Sequence, residues 1–254
     1  MQHRYFIQLS YSGTNYNGWQ VQENTPDTVQ QILTDKLSEL LGEKLEIVGC
    51  GRTDTGVHAK EFYAHFDSVK NDLHIDPRVW LYKMNAVLPF DIAIQKIIPV
   101  MADASARYSA NARTYKYIIN RKKDPFLISK AYYLFGDMNV KAMNEAASLL
   151  LKYSDFSSFS KSKTQVKNNE CVIKQTEWRE ENDLLVFTIT ANRFLRNMVR
   201  AVVGTLLEVG RNKIDLKEFK NIVEGKNRSD AGLSVPPDGL YLLSVVYPDD
   251  IFIK

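Results

Sequence analysis

Hydrophobic and polar positions change their spacing several times along the first part of the chain, and each spacing predicts one element. The stretch RYFIQLSY (4–11) alternates with a period of two, which is typical of a β-strand. After Thr28, a residue type that caps helices, apolar residues recur with the helical period as far as Gly42, a residue type that often ends them. The apolar stripe of this helix consists of Val29, Ile32, Leu33, Leu37, Leu40 and Leu41.

The same spacing rules predict four more elements before residue 105. Strands are predicted at 44–49 and 61–67, and Asp76 followed by proline predicts a helix that ends before Pro89. A further strand is predicted at 91–100. The element order is therefore β-α-β-β-α-β, which is the ferredoxin-like unit.

The second part of the chain repeats this element order with one extra helix. The predicted elements are a strand at 112–120, a helix at 139–153, a hairpin at 171–178 and 183–191, helices at 194–210 and 215–225, and a last strand near 241–248. We therefore predict an α+β protein with two ferredoxin-like halves, 1–104 and 105–254, each presenting an antiparallel sheet. A cleft between two sheets is a natural ligand site.

Composition narrows the classes of protein. The chain has 254 residues, 44% of them hydrophobic, and no apolar run approaches the roughly 18 residues of a membrane span. Two cysteines and four histidines without metal-site spacing predict neither a disulfide framework nor a metal. We expect a protein of the cytoplasm that does not bind membranes.

Positive charge is concentrated in the second part of the chain, although the net charge is only +3. It comes from RKK at 121–123, KSKTQVK at 161–167, and Arg193, Arg196 and Arg200. The three arginines share one stripe of the predicted helix. Both a solvated surface and a face that follows RNA phosphates fit this pattern.

The stretch GRTDTGVHA (51–59) contains a single aspartate, Asp54, among turn-forming residues. Asp54 could be a turn residue, half of an aspartic-protease pair, or the lone carboxylate of another chemistry. A protease needs a second Asp-Thr-Gly in an all-β framework, whereas this chain has one copy and many predicted helices. The turn and the lone carboxylate remain.

Six stretches together resemble the tRNA pseudouridine synthase A family in order and approximate spacing. They are YSGTNYNGWQVQ (11–22), TVQ (28–30), GRTDTGVHA (51–59), ARYSANARTYKY (106–117), FLRNMVRAVVGTLLEVG (194–210) and GLYLLSVVY (239–247). The resemblance covers nearly the whole chain. One departure is Thr55, which stands where the family commonly has alanine.

The resemblance implies two ferredoxin-like halves around a central basic cleft. It also implies isomerisation of uridine to pseudouridine in the anticodon stem-loop of tRNA, typically at nucleotides 38, 39 and 40. Asp54 matches the family's catalytic aspartate, and no cofactor is implied. Family members generally act as homodimers, so a homodimer is expected here.

Three more residues receive roles from the resemblance. Removing water from a carboxylate favours its neutral form, so we expect Arg200, the arginine of the MVR motif, to pair with Asp54 and keep it ionised. Tyr115 matches the active-site tyrosine and would stack on the uracil, whereas Tyr117 is expected in the core. Arg52 would fill the space left by the target base or hold the adjoining phosphate.

Two other readings involve RNA. A non-catalytic RNA-binding module is disfavoured because the chain lacks the aromatic strand motif of such modules and because GRTD would have no task. A pseudouridine synthase acting on ribosomal RNA is separable only by testing substrates.

Overall fold

A computed structural model describes residues 2–23, 25–161 and 168–253. The chain forms two compact units, the first comprising Met1–Asn111 with Leu242–Lys254 and the second Ala112–Tyr241. This division differs from the one predicted between residues 104 and 105. The difference has a physical cause, because Ala106 donates its N–H to His65 and accepts a hydrogen bond from the Tyr247 hydroxyl, both in the first unit.

The first unit has the predicted element order. It contains β1 (His3–Tyr11), α1 (Val29–Leu41), β2 (Val48–Gly49), β3 (His58–Ser68), α2 (Pro77–Val87) and β4 (Ile92–Pro99). The strands run antiparallel in the order β4-β1-β3, with β2 also paired to β3. The buried face of this sheet and the apolar stripe of α1 supply the core of the unit.

Both helices of this unit begin where the sequence indicated. The Thr28 hydroxyl accepts the N–H of Gln31, and the Asp76 carboxylate accepts the N–H of Val79. Each bond satisfies one of the backbone donors that a first helical turn leaves unpaired. The strand predicted at 44–49 is wrong over its first four residues.

The reason for this shortening is a set of bonds to α1. The N–H of Leu45 donates to the Ser38 hydroxyl, and the carbonyl of Ile47 accepts the Gln30 side-chain amide. Leu45 and Ile47 are both buried. Their backbone is thus satisfied by helix side chains instead of a strand partner.

The second unit contains the remaining helices. Its elements are β5 (Ala112–Asn120), β6 (Tyr132–Tyr133), α3 (Val140–Leu149), β7 (Ile173–Glu181), β8 (Leu184–Ala191), α4 (Met198–Gly210) and α5 (Leu216–Gly225). A last strand, β9 (Leu240–Val246), begins here and continues into the first unit. The α+β class is confirmed, and in the described part of the chain no helix is both long and apolar enough to span a bilayer.

The sheet of this unit follows the predicted hairpin. Strands β5, β8 and β7 are neighbours in that order and antiparallel, and β7 and β8 form the hairpin itself. The short strand β6 was not predicted. It pairs in parallel with the end of β5 over only two residues, too short a stretch for an alternating pattern to be visible.

Helix α4 begins four residues later than predicted. Asn197 has a left-handed φ of 66°, a conformation that asparagine tolerates better than most residues, and it ends the preceding loop. Arg193 and Arg196 therefore lie before the helix. The prediction that they share a helical stripe with Arg200 is wrong.

A buried histidine on β3 makes the first unit sensitive to acid. His65 accepts the N–H of Ala106 at Nδ1, and burial, together with the nearby Arg4 guanidinium, lowers the pKa of His65 to about 4. Arg4 itself pairs with Asp67 at 2.7 Å, and this pair lowers the pKa of the Asp67 carboxyl. His65 is therefore neutral in the folded chain at neutral pH.

We expect the free energy of unfolding to fall as pH is lowered from about 6.5 to about 4. In this window the unfolded chain binds a proton on His65 and the folded chain does not, which costs on the order of 2 kcal/mol. Urea unfolding at pH 7 and pH 4.5 measures the loss. In His65→Gln this part of the loss should disappear, while His74→Gln, at an exposed position, should behave like wild type. An equally steep loss in His65→Gln would contradict the assignment.

Candidate active site

The loop carrying Asp54 connects β2 to β3 and is closed by a tight turn. The N–H of Val57 donates to the carbonyl of Asp54 at 3.1 Å. The Asp54 side chain is half-buried, whereas Arg52 and Thr55 are exposed. Asp54 thus occupies a turn, as one reading of the sequence expected, and the residue is not fully buried.

The YSGTNYNGWQ segment (11–20) packs directly against this loop. The N–H of Trp19 donates to the carbonyl of Thr53 at 3.2 Å, and the N–H of Gly56 donates to the carbonyl of Tyr16 at 3.3 Å. Gly18 has a φ of 85°, and a Cβ at this position would lie 2.5 Å from the Thr53 carbonyl oxygen. Glycine is required here for both its φ and its small size.

Two further hydrogen bonds fix the same loop. The Thr53 hydroxyl bonds to the Tyr11 hydroxyl at 2.8 Å, and the buried Nδ1 of His58 accepts the N–H of Gly13 at 3.0 Å. His58, which had no assigned role in the sequence, therefore joins the loop to the neighbouring segment. These bonds to Tyr11, Gly13, Tyr16 and Trp19 hold the backbone on both sides of Asp54.

Arg52 lies on the same loop as Asp54. Its exposed side chain makes no hydrogen bond or ion pair with any residue in the described ranges. A guanidinium in this state keeps all its donors for a phosphate or a carboxylate of a ligand.

Tyr115 and Tyr117 lie on β5 in the second unit, and they differ in burial. Tyr115 is half-buried and packs edge to face on Phe194, with the ring centroids 5.1 Å apart. Tyr117 is fully buried, which raises the pKa of its phenol, and its hydroxyl donates to the carbonyl of Pro236 at 2.8 Å. The prediction that Tyr117 belongs to the core is confirmed.

Arg200 lies in the first turn of α4 and is tied to the segment before β9. Its Nε donates to the carbonyl of Val235 at 2.8 Å, and the N–H of Val235 donates to the carbonyl of Arg200 at 3.2 Å. Ser234 is held in turn by the side chains of Asn197 and Arg228. These bonds restrict the guanidinium of Arg200 to one region.

The sequence patterns did not indicate that the segment 231–236 holds the side chain of Arg200. The one hint in the sequence was Gly204, in the MVR-x-x-VG motif. At this glycine the backbone of α4 lies close to the carbonyl of Leu233 in the segment 231–236. A glycine inside a helix is unfavourable by itself and commonly has a packing reason.

Two residues of the basic stretch RKK (121–123) lie beside acidic side chains. Arg121 pairs with Glu180 at 3.2 Å and with Asp137 at 3.5 Å, and Lys122 lies 4.0 Å from Asp183. Acidic neighbours therefore favour a solvated surface for two residues of RKK. Of the stretch 161–167, only Lys161 is among the described residues.

The structure places the four predicted site residues in two pairs. Asp54 and Arg52 share a loop of the first unit, and Tyr115 and Arg200 belong to the second unit. In the described residues, no group of three or more histidine, cysteine, aspartate or glutamate side chains is arranged to hold a metal ion.

The sequence of the chain is similar to those of known tRNA pseudouridine synthases. A family model described as tRNA pseudouridine synthase matches residues 146–248. A tRNA pseudouridine synthase A from Parabacteroides distasonis is 50% identical over 250 residues, covering 98% of each chain. The corresponding protein from Bacteroides fragilis is 48% identical with the same coverage, and the one from Clostridium acetobutylicum is 40% identical over 95% of this chain and 98% of that one.

A solved structure of a protein from Galdieria sulphuraria aligns with 84% of this chain and 94% of its own, at 11% identity. Its TM-score of 0.23 is too low to indicate a shared fold. The sequence relatives carry the conclusion. On their identity over nearly the whole length, the chain belongs to the tRNA pseudouridine synthase A family, a family of isomerases that form pseudouridine in tRNA.

Proposed function

We propose that this chain converts uridine to pseudouridine in the anticodon stem-loop of tRNA, typically at nucleotides 38, 39 and 40, with Asp54 as the catalytic carboxylate and without a cofactor. The observation that carries the proposal is the Asp54 loop. Its backbone is bonded on both sides to the segment around Tyr16 and Trp19, while Asp54 is half-buried and Arg52 is exposed. A carboxylate on a fixed backbone suits a reaction on RNA when the same loop carries a guanidinium that makes no ion pair within the described ranges.

The reaction is an internal rearrangement that needs no external oxidant or reductant. The bond between ribose C1′ and uracil N1 breaks, the uracil turns, and C1′ forms a bond to C5. The hydrogen at C5 leaves as a proton and N1 gains one, so the atoms balance without a co-reactant. A carboxylate can attack C1′, attack the uracil ring, or remove a proton to give a glycal-like sugar. Each route begins with an ionised Asp54.

Tyr115 and Arg52 contribute to binding in this proposal. The ring of Tyr115 packs edge to face on Phe194, which supports it as a platform on which uracil can stack. A target base within a stem must leave its stack at a cost of a few kcal/mol, and Arg52 would offset part of this cost by occupying the vacated space or binding the adjoining phosphate. Contacts of this kind position RNA without reading its bases.

Arg200 is proposed as the cation that keeps Asp54 ionised in a water-poor site. An arginine can grip a carboxylate with two parallel N–H donors, whereas a lysine offers a point charge. We expect Arg200→Lys to lower kcat roughly 30-fold, while the Kd for tRNA changes less than about threefold. Single-turnover kinetics and filter binding measure the two quantities.

A control for this substitution lies just after the end of the same helix. Arg211 follows α4 and pairs with Glu208 at 2.8 Å, so Arg211→Lys makes the same chemical change far along the helix from Arg200. It should retain wild-type kcat. Equal rates in both variants would remove Arg200 from the mechanism.

The proposal includes the larger arrangement that the family implies. We propose two ferredoxin-like halves whose antiparallel sheets flank a central basic cleft, with Asp54 contributed by the amino-terminal half and Tyr115 and Arg200 by the carboxyl-terminal half. The strand order β4-β1-β3 with β2 on β3 supports a ferredoxin-like first half. A homodimer in the cytoplasm is part of the same proposal.

Release of tritium from C5 tests the proposed reaction. Unmodified tRNA transcripts and ribosomal RNA fragments, both made with uridine tritiated at C5, are incubated with the purified protein. We expect tritium to be released from tRNA and none from ribosomal RNA. Release only from ribosomal RNA would change the substrate class, and tRNA binding without release would favour a binding module.

A further inference from the structure

Asp91, the residue just before β4, collects three hydrogen bonds from the YSGTNYNGWQ segment. Its carboxylate accepts the Tyr16 hydroxyl at Oδ1 and the Asn15 side-chain amide at Oδ2, the latter at 3.1 Å. Its carbonyl accepts the N–H of Ser12 at 2.9 Å. One residue therefore fixes both ends of the short helical turn at Gly13–Asn15.

The same segment touches the Asp54 loop on its other side. The carbonyl of Tyr16 accepts the N–H of Gly56, and the N–H of Gly13 donates to His58 at 3.0 Å. Tyr16 thus spans the distance between Asp91 and the loop, with its hydroxyl at one end and its backbone at the other. Displacing the hydroxyl would shift the backbone atom that positions the turn after Asp54.

The Tyr16 hydroxyl is suited to act as a permanent donor. The side chain is buried, and burial together with the bond to Asp91 raises the pKa of the phenol well above its usual range. The hydroxyl therefore keeps its proton throughout the physiological range. A bond from a neutral phenol to a carboxylate is stronger than one between neutral groups.

We propose that the Tyr16–Asp91 pair is a positioning device that holds the Asp54 loop in its reactive geometry. This inference rests on the proposed role of Asp54 as the reacting carboxylate. The pair acts through the carbonyl of Tyr16 and the turn at Asp54–Val57, and neither residue of the pair contacts the substrate. Displacing a reacting group by about 1 Å is enough to lower a rate by as much as 100-fold, although the protein stays folded.

Tyr16→Phe tests the proposal with little change in packing. It removes the hydroxyl and keeps the buried ring, so we expect kcat to fall roughly tenfold while KM and the Kd for tRNA remain within about twofold of wild type. Tyr5→Phe is the matched control, because Tyr5 is another buried tyrosine of this unit whose hydroxyl donates to a carbonyl, that of Lys70, at 3.0 Å. Its kcat should equal that of wild type.

Melting temperature separates positioning from simple stabilisation. Tyr16→Phe removes a hydrogen bond to a carboxylate and Tyr5→Phe removes one to a backbone carbonyl, so both melting temperatures should drop, that of Tyr16→Phe by more. A drop in kcat confined to Tyr16→Phe then supports positioning. Equal kcat in the two variants would overturn the proposal, whatever their stability.

A double-mutant cycle with Asp91→Ala tests whether the two residues act as one device. The double variant Tyr16→Phe/Asp91→Ala should be no slower than Asp91→Ala alone within about twofold. Independent losses that multiply would contradict the pairing. An Asp54→Asn variant as active as wild type would contradict the proposed function itself, and this result does not depend on any Tyr16 or Asp91 variant.

Discussion

Replacing Asp54 by asparagine should reduce pseudouridine formation roughly a thousandfold or more while leaving tRNA affinity within about threefold of wild type. Asparagine has nearly the shape of aspartate but cannot act as a nucleophile or a base, so every proposed route stops. The backbone of the loop is held by Thr53, Val57 and Gly56, none of which the substitution alters. Single-turnover assays on an unmodified transcript and filter binding at fixed salt give the two numbers.

Thr55→Ala is the matched control on the same loop. Thr55 is exposed, and alanine is the residue that the family resemblance leads us to expect there. This variant should be as active as wild type. A large loss in Thr55→Ala would mean that the loop tolerates no substitution, and residual activity of more than a few per cent in Asp54→Asn would return Asp54 to a turn role.

Gly204→Ala should destabilise the protein by about 3 kcal/mol or more. Gly204 is inside α4, and a Cβ on it would collide with the carbonyl oxygen of Leu233, which is a backbone atom that cannot rotate away. Overpacking of this kind costs about 1–3 kcal/mol and more where backbone must move. The segment at Leu233 also leads to Val235, the partner of Arg200, so kcat should fall with stability. Urea unfolding measures the first effect.

Gly225→Ala provides the matched control. Gly225 ends α5, and the nearest atom to a Cβ there would be a carboxylate oxygen of Asp230 at 3.7 Å, which is ordinary contact. A glycine-to-alanine change in an open helical position usually leaves stability unchanged or raises it by up to about 1 kcal/mol. A Gly204→Ala variant as stable as Gly225→Ala would show that the segment can move aside at little cost.

Local patterns predicted the elements well where the deciding contacts are close in sequence. The cap at Thr28, the Asp76-Pro77 helix start and the β7–β8 hairpin were all predicted from a few neighbouring residues, and the structure confirms them. The predictions failed where distant residues decide. Residues 44–47 alternate like a strand, but Ser38 and Gln30 of α1 satisfy their backbone.

The predicted start of α4 at residue 194 was also wrong, and the structure shows why. The helical period of 194–210 runs through Asn197 without interruption, so only the left-handed φ of that residue reveals the true start. An asparagine before a helical stripe is a weak signal for such a conformation. The consequence is functional, because it separates Arg193 and Arg196 from the helix that carries Arg200.

The site was predicted by resemblance more than by local physics. The spacing of GRTDTGVHA alone left a turn and a catalytic carboxylate equally open. Nothing in the sequence indicated that Tyr16, Gly18 and Trp19 pack against the loop, because this contact joins segments more than thirty residues apart. The close approach of these two backbone segments can be recognised only from the three-dimensional structure.

Mapping pseudouridine nucleotide by nucleotide on an unmodified tRNA transcript, after incubation with wild type or Asp54→Asn, tests the central claim most directly. We predict pseudouridine in the anticodon stem-loop, at uridines among nucleotides 38 to 40, with wild type alone, and tRNA binding by both proteins. Pseudouridine at the same nucleotides with both proteins, or only outside the anticodon stem-loop, would contradict the claim.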